Sequence, residues 1–254
     1  MDRNKAAYKL NDFGPLYIIN LDDQPERWDW MKEQLEYWNI ENYERMSAFD
    51  GRSSDLSEIL SGRYPNAVSA PEIGCVTSHL RSIKHWYDTT DTEYGIFMED
   101  DCDLCSVSHW PFSWREVMNR IPYDWDCFQI AVINPRKLVA NIHPRYVDDY
   151  STAAFVINRR YAEKLMHFHC RGDKFKLDNG VRPRAVADDL LYNAGKTYAM
   201  PLLLYKIELG SSIHEDHVDS FHKNSRIGLD HFWTNQATDL PIDHFFQYDT
   251  HELG

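Results

Sequence analysis

A buried strand that ends in acids is encoded by the sequence Tyr94-Gly95-Ile96-Phe97-Met98-Glu99-Asp100-Asp101-Cys102-Asp103. Its apolar half predicts a strand inside a sheet. Three adjacent acids follow, with a fourth two positions later. Neighbouring carboxylates raise one another's pKa unless a cation lies among them, so this strand end suits a hard divalent cation such as Mg²⁺ or Mn²⁺. Open α/β sheets bind ligands outside the carboxyl ends of their strands, where these acids are expected. The alternative is an acidic turn in solvent.

Strands and helices alternate on both sides of this segment. Further strands are predicted over 16–21, 43–48, 127–133, 152–157 and 198–207, and helices are predicted to begin at 25, 71, 114, 159 and 187. Residues 52–70 are predicted to form a surface loop, and the sequence from Glu208 onward is polar with weak periodicity. The alternation predicts a three-layer α/β domain over residues 1–210, with residues 211–254 as a tail packed on it.

Composition narrows the class of protein. The formal net charge is −13 and no cluster of Lys and Arg stands out, which argues against binding to nucleic acid or to an anionic membrane surface. No apolar run reaches the roughly 18 residues of a membrane span, and no signal peptide is expected. The five cysteines are odd in number and irregular in spacing, which predicts reduced thiols and a cytoplasmic protein. Cys102 and Cys105 lack a second pair for structural zinc and are interpreted as ordinary thiols.

Four segments of the chain resemble those of a known enzyme family. They read YIINLDDQPER at 17–27, AFDG at 48–51, EIGCVTSH at 72–79 and MEDD at 98–101. In this order they are similar to the motifs of glycosyltransferase family 25, the group of bacterial lipopolysaccharide glycosyltransferases and collagen hydroxylysine galactosyltransferases. Two later segments, STAAFVINR at 151–159 and ADDLL at 187–191, also resemble family motifs, although Ser151 stands where the family has Gly.

The resemblance implies a GT-A fold, which is a Rossmann-like three-layer domain with a mostly parallel central sheet. It also implies a UDP-sugar as donor, Mn²⁺ or Mg²⁺ as metal, and inversion at the anomeric carbon. The expected function is transfer of a hexose to a hydroxyl group of a polysaccharide, lipopolysaccharide or other glycoconjugate. Two alternatives stay open: a catalytically silent relative that binds carbohydrate or a partner protein, and a metal-dependent phosphoester hydrolase.

The acid motif supplies the metal ligands that the resemblance implies. In GT-A folds the first acid of this motif usually contacts the ribose and the last contacts the metal. We therefore expect Asp101 to bind the metal, with Asp103 and the C-terminal His214 as further ligands. Glu99 and Asp100 are expected to contact the ribose or a metal-bound water. A solvated turn is the alternative for Asp103, and a solvated polar loop is the alternative for His214.

Other donor-binding residues are expected at strand ends and on the second helix. The candidates are Asn20, Leu21, Arg27, Asp50 and Ser78. Arg27 is the candidate for a phosphate contact, with a surface helix position as its alternative. Ser78 and the adjacent His79 face either the donor or the core.

The general base is predicted at a helix start. An inverting displacement needs a base opposite the leaving group, and Asp188 and Asp189 match an acidic position of the family. Acids are also favoured at helix N-termini by the dipole and by capping, and this is the alternative for both residues.

Overall fold

The computed structural model of the protein describes residues 4–64, 68–134, 136–177, 185–207 and 222–247. The strands are β1 (Leu16–Asn20), β2 (Tyr43–Ser47), β3 (Tyr94–Glu99), β4 (Cys102–Asp103), β5 (Cys127–Ala131), β6 (His143–Pro144), β7 (Ala154–Asn158), β8 (Cys170–Arg171), β9 (Lys174–Phe175) and β10 (Thr197–Tyr205). The α-helices are α1 (Pro25–Trp38), α2 (Leu56–Ile59), α3 (Ala70–Thr89), α4 (Trp114–Arg120), α5 (Arg159–His169), α6 (Ala187–Tyr192), α7 (Lys223–Asn235) and α8 (Ile242–Phe245). Short 3-10 helices cover Ala7–Leu10, Cys105–His109 and Ala237–Asp239.

One central sheet contains eight strands in the order β2-β1-β3-β7-β5-β10-β4, with β6 paired to β10. β1 runs parallel to β2 and β3, and β5 runs parallel to β10. β7 runs antiparallel to both β3 and β5, so the sheet is mixed, whereas a mostly parallel one was expected. The described part of segment 132–153 contains no helix, and a parallel return to the sheet needs a crossover connection of that kind. The predicted α/β class is confirmed.

Helices cover both faces of the sheet. Successive side chains of a strand point to opposite faces, and β3 shows the consequence. Ile96 and Met98 join the core that contains residues of α1, α4 and α7, whereas Phe97 joins the core of α3, α5 and α6. All three side chains are fully buried. The chain therefore has the three layers expected from its sequence.

Local sequence sets the ends of the two helices beside the candidate site. Pro25 opens α1, where a residue without an N–H is tolerated, and Asn39 ends the helix in the left-handed conformation. α3 begins with a capping box, in which the side chains of Ser69 and Glu72 each accept a hydrogen bond from the other residue's backbone N–H. Glu72 of the EIGC motif is thus explained by helix initiation.

The C-terminal elements pack into the core beside α1 and α4. The Trp233 ring of α7 stacks on Phe245 of α8 with ring centroids 5.8 Å apart, and its Nε1 donates a hydrogen bond to the Pro201 carbonyl at 2.9 Å. The sequence did not predict α7, because its few buried side chains are spread among polar ones. The proposed boundary at 210 lies outside the described residues and stays a prediction.

Two sequence expectations about the environment can be compared with the described residues. No helix in this part of the chain combines the length and apolar character that crossing a bilayer requires. All five cysteines are free thiols. Cys102 is buried in the core and Cys105 is exposed, so the two do not face a common ion.

Candidate active site

The acid motif lies where two adjacent parallel strands end. Ile19 of β1 is in register with Glu99 of β3, so Asn20 and Asp100 follow as neighbours at the same edge of the sheet. Asn20 Nδ2 donates a hydrogen bond to Asp100 Oδ2 at 2.6 Å. The predicted convergence of strand-end polar residues is therefore present in the structure.

Arg27 of α1 joins two of the three acids. Its Nε donates to Asp100 Oδ1 at 2.8 Å, and its Nη2 lies 2.5 Å from Asp100 Oδ1 and 3.3 Å from Asp101 Oδ2. The Arg27 side chain is 10% exposed, which excludes the surface position considered as its alternative. Asp100 is thus held by Asn20 and Arg27, and Arg27 also contacts Asp101.

Asp101 is the least compensated acid of the cluster. Burial raises its pKa from 3.8 to about 7, and Glu99 adds to the shift while Arg27 opposes it. Its Oδ1 is buried and has no hydrogen-bond partner among the described residues. The side chain keeps 22% of its surface exposed, so it can be reached from the cleft beside it. A buried, unpaired carboxylate oxygen is a group that a cation would satisfy.

Glu99 has a different environment from Asp101. Its Oε1 lies 2.9 Å from His79 Nε2 of α3 and accepts a hydrogen bond from Thr152 Oγ1 at 2.7 Å. Burial tends to raise the pKa of Glu99, but the hydrogen bond and charge of His79 and the Thr152 hydroxyl outweigh it, so this pKa lies below its ordinary value. The cluster therefore contains one carboxylate whose ionised form is stabilised, Glu99, and one whose ionised form is destabilised, Asp101.

An open cleft of about 710 Å³ lies in front of these acids. Its walls come from the end of β1, from segment 48–52 and from α3, and it is lined among others by Leu21, Arg27, Asp50, Ser78, Glu99, Asp100 and Asp101. Most of the predicted donor-binding residues therefore share one cleft. Asn20 does not line it and acts from behind through Asp100.

Two glycines allow α3 to approach the segment of the AFDG motif. A Cβ at Gly74 would lie 2.5 Å from the Phe49 carbonyl oxygen, and a Cβ at Gly51 would lie 1.8 Å from the carbonyl oxygen of Ala70. Ser78 Oγ accepts a hydrogen bond from Phe49 N at 2.8 Å and is buried. The AFDG and EIGC motifs are therefore parts of one tight contact that forms a wall of the cleft.

Asp188 and Asp189 occupy different places although they are adjacent on α6. Asp188 Oδ1 accepts a hydrogen bond from Ser151 N at 2.6 Å. Burial raises the pKa of Asp188 to about 6, and Glu99 adds to this shift while Arg145 opposes it. Asp189 Oδ1 accepts a hydrogen bond from Asn193 at 3.3 Å within the same helix. Neither residue is among those that line the cleft, and the role of general base stays a prediction for both.

The two remaining metal candidates have different outcomes. Asp103 Oδ2 lies 2.9 Å from Arg226 of α7, and its Oδ1 accepts a hydrogen bond from Cys105 N. Both oxygens therefore have partners, and a metal role for Asp103 stays a prediction. His214 lies outside the described residues, and its role also stays a prediction.

Sequence reasoning missed Thr152, which contacts Glu99, and Cys75, which lines the cleft. Thr152 reaches Glu99 because it precedes β7, which enters the sheet from the same edge as the acids. Cys75 lines the cleft one turn before His79 on α3. The i,i+4 spacing of Cys75 and His79 within the EIGC motif was the available signal.

A second cleft of about 580 Å³ lies beyond β5. It is lined among others by Arg136, Lys137, the buried pair of His143 and Asp149, and Ser225 of α7. His143 Nε2 lies 3.2 Å from Asp149 Oδ2. Asp149 is two residues from Ser151, the backbone partner of Asp188, so loop 148–151 connects this cleft with the candidate base.

Fold and site together define a class of protein: an α/β protein with a cleft lined by carboxylates at the strand ends, the edge of the sheet where such folds bind ligands. Residues 13–109 match the family model described as Glycosyltransferase family 25 (LPS biosynthesis protein). The matched segment contains β1, α1, α3, β3 and the whole acid motif, so the resemblance to this family is confirmed there. The match supports a glycosyltransferase enzyme, which uses a nucleotide-sugar donor and a glycan acceptor. No curated protein matches the chain.

Proposed function

We propose that the protein is a metal-dependent glycosyltransferase that transfers a hexose from a UDP-sugar to a hydroxyl group of a polysaccharide, lipopolysaccharide or other glycoconjugate. The observation that carries this proposal is the Asp101 carboxylate, whose buried Oδ1 has no partner among the described residues and which lines a cleft within the family-matched segment. The mixed α/β sheet with its site at strand ends supports a GT-A fold.

The residues of the cleft fit a divalent cation. Asp101 would hold Mn²⁺ or Mg²⁺, because both ions prefer carboxylate oxygens and a cation offsets the burial and the repulsion by Glu99 that raise the pKa of this carboxyl. When bound, the ion supplies Lewis-acid stabilisation of the leaving diphosphate. Glu99 and Asp100 line the cleft beside Asp101, where the ribose or water on the ion would bind.

The chain's own residues position the donor. Arg27 bridges Asp100 and Asp101 from behind, which keeps a positive charge beside the place where diphosphate charge develops. Asn20 fixes Asp100 through its amide. Asp50 and Ser78 shape the opposite wall of the cleft, where we place the nucleotide.

Asp188 acts as the general base on the acceptor side. A carboxyl whose pKa is raised to about 6 by burial is ionised at neutral pH and still basic enough to accept the proton of an acceptor hydroxyl. We place the acceptor between Asp188 and the second cleft, because loop 148–151 connects the two. Direct attack by the activated hydroxyl inverts the anomeric configuration.

The proposal is tested by incubating the full chain with Mn²⁺, a set of UDP-hexoses and lipopolysaccharide or oligosaccharide acceptors. We expect UDP release coupled to formation of a glycoside, whose anomeric configuration nuclear magnetic resonance assigns. Asp101→Asn should abolish transfer, whereas Asp29→Asn, which removes an exposed carboxylate of α1, should retain it. Full activity of Asp101→Asn, or release of phosphate without a glycoside, would contradict the proposal.

A further inference from the structure

A thiol, an imidazole and a carboxylate converge on the α3 side of the cleft. Cys75 and His79 are four residues apart on α3 and therefore lie on one face of the helix. Glu99 ends β3 opposite them. One potential ligand atom from each of the three side chains lies within 4.8 Å of the other two. All three residues line the cleft.

His79 supplies a ring nitrogen that no protein donor satisfies. Its side chain is 1% exposed, and Nδ1 has no hydrogen-bond partner among the described residues. The partner of Nε2 is the Glu99 carboxylate, which accepts hydrogen bonds when ionised. In the neutral imidazole whose Nε2–H donates to Glu99, the lone pair lies on Nδ1, where no donor among the described residues contacts it. Such a lone pair is what a metal ion requires.

The distances suit a small tetrahedral ion. Zinc binds sulfur at about 2.3 Å and nitrogen or oxygen at about 2.0–2.2 Å, so its ligand atoms lie roughly 3.5 Å apart. The separations in this cluster are at most 4.8 Å, which is about 1 Å above that value.

The ligand types differ from those at Asp101. Thiolate and imidazole suit Zn²⁺, whereas carboxylate oxygens alone suit Mg²⁺ and Mn²⁺. We propose that Cys75, His79 and Glu99 form a binding site for Zn²⁺ or a chemically similar divalent cation, with a fourth coordination position open to the cleft. Three protein ligands with one open position are typical of zinc sites that contact a further ligand.

Binding has a simple balance of protons and charges. Burial raises the pKa of the Cys75 thiol, and the charges of Glu99 and Asp188 add to this effect, so the thiol is protonated in the absence of an ion. Formation of the metal–sulfur bond releases that proton to solvent. His79 binds as the neutral imidazole, so a proton on its second nitrogen would also be released to solvent, and Glu99 binds as the carboxylate. Nothing is oxidised or reduced.

The test uses Co²⁺ as a spectroscopic probe for the site in the full chain, without UDP or sugar. We expect a thiolate-to-cobalt absorption band that saturates at one equivalent and disappears when Zn²⁺ is added. Cys75→Ser should abolish the band, and His79→Gln should weaken Co²⁺ binding at least about tenfold. Cys105→Ser is the matched control, because Cys105 is an exposed thiol close to Asp103, and it should leave the band unchanged.

Two results would overturn the inference. One is the absence of a thiolate band in the wild type, and the other is an unchanged band in a folded Cys75→Ser variant, with folding verified by circular dichroism. Cys75→Ser replaces only the sulfur atom by oxygen. If Cys75→Ser nevertheless fails to fold, the Co²⁺ affinity of His79→Gln tests the site independently. The measurement needs neither donor nor acceptor, so its failure is separate from a failure of the proposed glycosyl transfer.

Discussion

Replacing Asp101 by Asn is expected to stabilise the ion-free protein at alkaline pH. Burial raises the pKa of Asp101 from 3.8 to about 7, so the folded state binds this proton more tightly than the unfolded chain does. The wild type therefore loses the corresponding stability as pH rises from about 4 to about 7. Asn has no titratable group, so the Asp101→Asn variant does not lose this part of the folding stability as the pH rises.

The size of the stability difference follows from the pH interval over which the folded carboxyl is protonated while the unfolded carboxyl is ionised. Between pH 5 and pH 8 the folded carboxyl is titrated through its pKa of about 7, whereas the unfolded carboxyl is already ionised at pH 5. About two pH units of differential proton binding correspond to roughly 3 kcal/mol. For a domain of this size the difference is a shift of about 6–12 °C in the melting temperature.

The assay is urea or thermal unfolding at pH 5 and pH 8 for the wild type, Asp101→Asn and Asp29→Asn, with chelator present. The wild type and Asp29→Asn should lose about 3 kcal/mol more than Asp101→Asn between the two pH values. Asp188, whose pKa is also raised by burial, titrates in all three proteins. The repulsion of Asp101 by Glu99 and Asp100 is part of the Asp101 shift and is lost with it in Asp101→Asn. An identical pH dependence for the wild type and Asp101→Asn would refute the reasoning.

Three further changes have defined outcomes. Asp188→Asn should lower transfer by about 10²–10⁴-fold without changing UDP affinity, and the wild-type rate should rise with pH through about 6, because burial raises the pKa of this base; an unchanged rate would exclude it as base. Gly74→Ala should cost about 1–3 kcal/mol in urea unfolding, because its Cβ would lie 2.5 Å from a carbonyl oxygen. Gly228→Ala, with no atom within 4 Å, should gain about 0.5–1 kcal/mol, and equal effects of the two substitutions would contradict the packing argument. Ser69→Ala should cost about 1 kcal/mol by removing the α3 cap, and unchanged unfolding would contradict it.

Local patterns were sufficient to predict the elements that form the cleft. The apolar runs before Asn20 and Glu99 are β1 and β3, and the strands pair in parallel so that both ends meet. The helix starts predicted at residues 25 and 71 correspond to α1, which begins at Pro25, and to α3, which begins at Ala70. These features depend on residues close in sequence, which is why periodicity and the position of proline predicted them.

Long-range features of the fold were not accessible in this way. The direction of β7 depends on how the chain returns after β5, and an apolar strand has the same composition in either direction. α7 is stabilised by Leu229, Phe232 and Trp233 against a core assembled from distant segments. These three side chains are spaced i, i+3 and i+4, but they span little more than one helical turn, which is too short to predict a helix.

In the candidate site too, features set by local sequence were predicted and features set by distant residues were not. Asp101 was predicted as a ligand from the motif, and its Oδ1 has no partner among the described residues; the ligand role stays a prediction. The engagement of Asp103 by Arg226 could not be predicted, because the two residues are distant in sequence. Thr152 was missed for the same reason, since only the antiparallel entry of β7 brings it to Glu99.

The most direct test of the proposed donor site is a calorimetric titration of UDP into the wild type and into Asp101→Asn, each with and without Mn²⁺. We predict binding by the wild type only when Mn²⁺ is present, and at least about a hundredfold loss of affinity, or 2.7 kcal/mol, in Asp101→Asn. Equal UDP affinity in the two proteins, or binding that does not depend on the metal, would contradict the assignment of the acid-lined cleft as a metal-dependent nucleotide-sugar site.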